Sequence, residues 1–279
     1  MIEFVKMHGL GNDFMVINAL ESPVNLTSLQ IRKLANRRLG VGFDQLLVIE
    51  PATSPRADFN CRIFNADGTS AEQCGNGVRC VGRLIFDEKH CDPSKAIQLQ
   101  TEGGLVSLES LDNGDIRVNM GAPVFEPAAI PVKLDKNKPS YQREIAGREI
   151  CFSVVNMGNP HAVIQVTTLC EQEVATVGQA LGADSLFPEG VNVGFSQIVG
   201  PQNLLLQVYE RGVGETLACG SGACAAVVAG RRLGYLQEQV RVEQPGGSLI
   251  IEWQGPGQPV WMTGPATAVY RGIWVDQGI

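Results

Sequence analysis

Histidine is scarce in this chain, at three residues, and charged side chains make up only 18% of it. Three histidines leave little material for a His-containing zinc site. There is no Lys/Arg-rich run and no basic amphipathic stretch, and the formal net charge is −7. Phosphate backbones demand a basic footprint, which argues against nucleic acid as a partner. No apolar run approaches the roughly 18–20 residues of a membrane span, so no membrane association is expected. The start, Met1-Ile2-Glu3-Phe4-Val5-Lys6, reads as a strand rather than an export signal, because Glu3 interrupts any apolar stretch. A cytoplasmic protein is the expectation.

What the chain does have is cysteine and glycine, eight and 32 residues of 279. In a reducing compartment the cysteines are expected as thiols. Cys61, Cys91, Cys151 and Cys170 have no distinguishing neighbours and read as small buried hydrophobes, as do Cys80 and Cys224. Cys74 and Cys80 are not at finger spacing and no H-x₃₋₅-H follows, so no metal is expected. Two cysteines, Cys74 and Cys219, remain to be explained.

Three short blocks recur in order, each shifted by about half the chain, as in a duplicated unit. Gly11-Asn12-Asp13 is echoed by Gly158-Asn159-Pro160, and Gly42-Phe43-Asp44-Gln45 by Gly190-Val191-Asn192-Val193. Cys74-Gly75-Asn76-Gly77 is echoed by Cys219-Gly220-Ser221-Gly222. Strand-like runs at 45–50 and 204–209 precede the cysteine blocks, and a helix is predicted after each. Val78, Val81, Leu84 and Ile85 form an apolar stripe. Residues 223–229 are apolar nearly all round, as in a helix buried inside sheets, and Gly234 stands where its C-terminal cap belongs. Asn113-Gly114 marks a hairpin.

The Pro-rich stretch 120–131 reads as the crossing between halves, and the strand-like tail 266–275 as a candidate to complete the first. The predicted architecture is α+β with two pseudo-symmetric lobes, each a curved, mainly antiparallel sheet or barrel around a central helix. The expected lobes are 1–119 with 265–279, carrying Cys74, and 120–264, carrying Cys219.

In both blocks a cysteine precedes Gly-X-Gly and then a helix. Unpaired N–H groups at a helix start bind carboxylates and lower a thiol's pKa from about 8.5. Glycines let a ligand approach the backbone. Racemisation at carbon needs two acid–base groups on opposite faces, one protonated and one not. Two equivalent cysteines from two equivalent lobes meet that demand, with helix-terminal N–H groups stabilising the carbanion-like transition state.

The motifs Met7-His8-Gly9-Leu10-Gly11-Asn12-Asp13-Phe14, the two cysteine blocks, Asn156-Met157-Gly158-Asn159-Pro160-His161 and the Asn192 region together resemble the diaminopimelate epimerase family over essentially the whole chain. The resemblance implies interconversion of LL- and meso-diaminopimelate, on the way to lysine and peptidoglycan. It implies neither pyridoxal phosphate nor metal, and a homodimer. It makes Cys74 and Cys219 the acid–base pair. Asn12, Gln45, Asn65, Asn159, Asn192, Glu210 and Arg211 would bind substrate, with Gly75, Asn76, Gly220 and Ser221 forming carboxylate-binding turns. The family often carries Thr at the place of Ser221, and the hydroxyl is retained. His161 and Glu210 would tune or orient the reacting centre.

Each reading has a plainer competitor. Asn12, Asn65, Asn159 and Asn192 also suit turns, though their paired positions favour a shared role. Arg211 is either a solvated charge or a bidentate carboxylate clamp, matching the distal carboxylate that diaminopimelate has and alanine lacks. Asp13, Asp67 and Glu72 read as turn or capping residues. At the level of function, a proline or hydroxyproline racemase also uses two cysteines, a cysteine hydrolase with His161 as base uses one, and a binding protein needs neither.

Overall fold

The computed structural model describes residues 1–71 and 74–275, so Glu72 lies outside the described residues. The chain divides into two compact units, Met1–Val118 joined by the segment from Gly264 onward, and Asn119–Thr263.

The first unit runs β1 (Ile2–Gly9), β2 (Asn12–Asn18), α1 (Ser28–Ala35), β3 (Gln45–Pro51), β4 (Phe59–Asn65), α2 (Gly75–Asp87), β5 (Ile97–Thr101), β6 (Gly104–Ser110) and β7 (Ile116–Asn119). The second runs β8 (Tyr141–Ile145), β9 (Arg148–Asn156), β10 (Pro160–Gln165), α3 (Glu171–Gly182), β11 (Asn192–Gly200), β12 (Asn203–Glu210), β13 (Gly214–Thr216), α4 (Gly220–Arg232), β14 (Gln239–Gln244), β15 (Gly247–Trp253) and β16 (Val260–Gly264). A final strand, β17 (Thr267–Trp274), returns to pair antiparallel with β1 of the first unit.

The two units share one pairing scheme. In the first, β17–β1–β2 is antiparallel, β2–β3 parallel, β3–β4 antiparallel, β4–β5 parallel, and β5–β6–β7 antiparallel. In the second, β8–β9–β10 is antiparallel, β10–β11 parallel, β11–β12 antiparallel, β12–β14 parallel, and β14–β15–β16 antiparallel. Parallel neighbours need a crossover. α1 and α2 supply the two crossovers of the first unit, α3 and α4 those of the second. The duplicated blocks are therefore a duplicated topology, with β17 taking in the first unit the place of β8 in the second.

The register corrects one pairing read from the blocks. Phe14 pairs with Gln45 across β2–β3, and His161 with Asn192 across β10–β11. The topological counterpart of Gln45 is therefore Asn192, not Val193. Gly190 stands two positions before the start of β11, whereas Gly42 stands three before the start of β3, an offset the block match could not reveal.

Each sheet curls about one helix. α2 packs against β1, β2, β3 and β6, and α4 against β9, β10, β11, β12, β14 and β15. The opposite face of the first sheet is covered by α1, where Ile31 and Leu34 meet Met15, Ile17, Leu46 and Val48. Strands β2 and β3 are thus buried on both faces, which explains their unbroken apolar runs. Val78, Val81, Leu84 and Ile85 of α2 are fully buried, each contributing about 1.5–3 kcal/mol. α1 opens with a capping box, Thr27 and Gln30 bonding each other's backbone N–H.

Four cysteines are buried, Cys61, Cys80, Cys219 and Cys224, but Cys151 and Cys170 are exposed and Cys91 half-buried, against the expectation of core positions. Cys151 falls on an outward position of β9, and Cys170 caps α3 from outside the helix.

α2 and α4 end alike, in Schellman turns. Tyr235 N–H bonds Gly230 O (3.0 Å) and Gly234 N–H bonds Arg231 O (3.0 Å), with Gly234 at φ 82°. In α2, His90 N–H bonds Ile85 O and Lys89 N–H bonds Phe86 O, and the left-handed residue is Lys89 at φ 58°. A side chain pays a steric penalty there that glycine avoids. Lys89→Gly is expected to raise stability by about 0.5–1 kcal/mol, read as a higher urea midpoint with an unchanged m-value.

Candidate active site

Cys74 is the N-cap of α2, extended at φ −142° and ψ 108°, and its Sγ accepts the Gly77 N–H at 3.4 Å. The thiol donates to Asn12 Oδ1 at 3.7 Å. Asn12 opens β2 just after a turn in which Leu10 and Gly11 both take positive φ, 58° and 90°. Gln45, at the start of β3, donates from Nε2 to Asn65 Oδ1 at 3.0 Å, and Asn65 ends β4. Gly75 and Asn76 are the first residues of α2, where N–H groups have no acceptor within the helix. The first unit thus gathers Asn12 with Cys74, and Gln45 with Asn65.

Asp13 is not the turn residue its sequence context suggested. It lies in β2, where Arg37 grips it with both terminal nitrogens (2.7 and 2.9 Å) and Lys6 bonds it from β1. Burial pushes its carboxyl up, but hydrogen bonds and charge from Arg37 and Lys6 prevail and hold it well below the usual carboxylate range. Asp67 does act as a turn residue, accepting the Thr69 N–H at 2.9 Å.

Cys219 is the N-cap of α4 and 4% exposed. Its thiol donates to Glu210 Oε2 at 3.3 Å and lies 3.7 Å from Ser221 Oγ, while its backbone N–H bonds Gln244 Oε1 at 2.8 Å. Glu210 is anchored through its other oxygen by Thr216 Oγ1 at 2.6 Å. Burial, then the Glu210 charge, push the Cys219 thiol well above its ordinary range, outweighing the Gly222 N–H and the Ser221 hydroxyl. The helix end alone had suggested a lowered value. Desolvation reverses that here.

His161 on β10 is buried, with Nε2 2.8 Å from Asn159 Oδ1. Asn192 opens β11, donates to Pro160 O at 3.1 Å and accepts the Arg211 backbone N–H at 3.0 Å. Arg211 reaches Glu189 O at 3.1 Å. The second unit thus gathers Glu210, Cys219, Gly220 and Ser221 at one helix start, and Asn159, His161, Asn192 and Arg211 along neighbouring strand ends. Thr216 and Gln244 were not visible in the sequence. Nothing in a lone Thr or Gln marks it as the anchor of a residue elsewhere in the chain.

Burial, and after it the charge of Arg211, lower His161 to about 3 from 6.5. The folded protein therefore holds it neutral while the unfolded chain binds a proton below 6.5, so its contribution to stability is complete above that value and lost as pH falls toward about 3. The slope approaches about 1.4 kcal/mol per pH unit. Asp13 acts lower, its contribution lost only below its ordinary 3.8. His161→Gln is expected to flatten the decline of urea-unfolding free energy between pH 6 and pH 4, roughly the upper part of this window. An unchanged slope would contradict a buried neutral imidazole.

Among the described residues, no helix is long and apolar enough to cross a membrane. A structure of a hydroxyproline epimerase from Agrobacterium vitis matches with a TM-score of 0.69 at 16% identity, over 97% of this chain and 91% of that one. A phenazine biosynthesis protein from Bacillus anthracis matches at 0.64 and 14% identity, over 98% of this chain and 99% of that one. At such identities the likeness is one of fold. The sequence is closer to a diaminopimelate epimerase of Coxiella burnetii (strain Dugway 5J108-111), 52% identical over 275 residues that span 99% of both chains. The family model for diaminopimelate epimerase matches residues 4–126 and 153–269, a region that holds both cysteine-capped helices. By that match and that identity, this chain belongs to the diaminopimelate epimerase family.

Proposed function

We propose that the protein interconverts LL- and meso-diaminopimelate at one α-carbon, without pyridoxal phosphate, in the cytoplasm. The observation carrying this reading is the twin placement of Cys74 and Cys219, each the N-cap of the second crossover helix in units of identical strand pairing. In the forward sense one thiolate takes the α-hydrogen as a proton, leaving its electron pair on carbon. The other thiol then delivers its proton to the opposite face. The reverse reaction exchanges the roles, so the net reaction balances and nothing is oxidised or consumed.

The α-carboxylate is bound by the N–H groups at Gly75 and Asn76 and at Gly220 and Ser221, where the helix macrodipole and low dielectric favour developing negative charge. Asn12, Gln45, Asn65, Asn159 and Asn192 bind the polar groups of the substrate. Arg211 takes the distal carboxylate. Glu210 orients the Cys219 thiol by accepting its hydrogen, and His161, neutral, orients Asn159.

A homodimer fits the exposed apolar side chains Val269, Tyr270 and Ile273 on β17. Sedimentation of the wild type checks it, and a monomer at micromolar concentration would refute it.

The deciding experiment is proton exchange. Purified protein in deuterated buffer, with no pyridoxal phosphate added, is expected to place deuterium at the α-carbon of LL- and meso-diaminopimelate and not of proline. Exchange into proline alone would assign the chain a different substrate.

A further inference from the structure

The Asn12 side-chain amide is engaged at both ends. Its Oδ1 accepts the Cys74 thiol at 3.7 Å, and its Nδ2 donates to Asp44 Oδ2 at 2.8 Å. A carboxylate only accepts, so Asp44 dictates which end of the amide turns toward it. Asp44 is itself fixed. Its Oδ2 also accepts the Asp13 N–H (3.1 Å), its Oδ1 accepts Arg37 (2.7 Å), and its own N–H bonds Asp13 O (2.9 Å). With the amide so held, an oxygen and not an NH₂ group faces the sulfur. That oxygen accepts from a thiol and repels a thiolate.

We propose that Asp44 is a positioning residue that acts on Cys74 through Asn12, locking the amide with its oxygen toward the sulfur and so keeping Cys74 more basic than a helix N-cap would otherwise leave it. The chemical reason is a balance. The Gly77 N–H and the α2 N-terminus favour the thiolate, and a thiolate over-stabilised in this way is a weak base toward a carbon acid. The second unit lacks the device. The residue before Asn192 is Val191, and Asn159 faces His161 instead of a carboxylate.

Among the described residues, charged and titratable groups stand on both sides of Asn12. Arg37, Asp13 and Lys6 surround the carboxylate. On the thiol side stand Cys61 of β4 and Cys80 of α2, both buried and pushed up to about 12, and Arg79 of α2, which donates to Gly75 O at 3.5 Å. His8 of β1 faces the Gly11 backbone N–H at 3.5 Å.

The catalytic consequence rests on Cys74 being one of the two acid–base groups proposed above, so the primary test does not use activity. The rate of Cys74 alkylation by iodoacetamide is followed against pH and located by peptide mapping, with thermal melts as a folding control. Asp44→Asn can donate to Asn12 Oδ1, releasing the amide to turn its NH₂ to the sulfur, and the Cys74 midpoint is expected to fall by about one pH unit. Asn12→Ala, which removes the acceptor, lowers it too, and in that background Asp44→Asn adds nothing. Asp44→Ser gives the same direction if Asp44→Asn does not fold. An unchanged midpoint overturns the proposal, as does an equal shift in the Asn12→Ala background, which would mean that the Asp44 charge acts on the sulfur directly. The acid limb of kcat/KM with diaminopimelate is expected to move with the alkylation midpoint. A midpoint that moves while that limb stays for both stereoisomers would refute Cys74 as an acid–base group and leave the action of Asp44 standing.

Discussion

Replacing Cys219 by serine is expected to lower full epimerisation by about three orders of magnitude in both directions, within the range that a positioned acid or base contributes. The substitution is close to isosteric, and the Ser hydroxyl still reaches Glu210 Oε2, 3.3 Å from the sulfur in the wild type. Packing and hydrogen bonding survive, so the loss isolates the proton chemistry. Cys219 is 4% exposed and already held toward its protonated form by burial and by Glu210. A hydroxyl, intrinsically a far weaker acid than a thiol, neither gives up its proton there nor becomes a base near neutral pH. Since Cys74 is untouched, α-deuterium exchange is expected to persist for one stereoisomer and vanish for the other. Cys74→Ser should reverse that preference. Turnover within tenfold of wild type in the double variant would end the two-thiol mechanism.

Gly40→Ala is expected to destabilise the fold by about 3 kcal/mol, at the upper end of overpacking costs, because the atoms a Cβ would meet are backbone and not the end of a flexible side chain. A Cβ built at residue 40 comes within 2.3 Å of Lys33 O and 2.5 Å of Leu34 O, both backbone atoms of the last turn of α1. The chain folds back on that turn through Gly40 N–H to Asn36 O (2.8 Å) and Gly42 N–H to Leu34 O (2.9 Å). The same reversal delivers Arg37 to Asp13 and Asp44, and the Gly42 carbonyl to Lys6. The defect should therefore reach Asn12 as well as stability. Chemical denaturation gives the first effect, and a fall in turnover larger than the unfolded fraction explains gives the second. A melting temperature within a degree of wild type would show that the loop relaxes freely.

The elements most legible in the sequence were those governed by local rules. The helix after the first cysteine block follows from a 3.6-residue apolar period and that after the second from an apolar run, each with a Gly-rich start; the strand at 45–50 follows from its apolar run at 46–49, and the end of α4 from Gly234. The matching end of α2 was not legible, because Lys89 holds there a backbone conformation that its side chain disfavours. Exposure of Cys151 and Cys170 was equally hidden, since a cysteine carries no mark of the face it will occupy.

The sequence by itself determined the duplicated α+β plan and the two cysteine-capped helices, because periodicity and helix-start chemistry act over a few neighbouring residues. Tertiary structure alone decided how those residues behave. It made Asn192, and not Val193, the topological counterpart of Gln45, put Glu210 against the Cys219 thiol, and closed Asp13 and Asp44 around Arg37. Register, desolvation and charge pairing depend on which distant segments come within a few ångströms, and neither composition nor spacing encodes that distance.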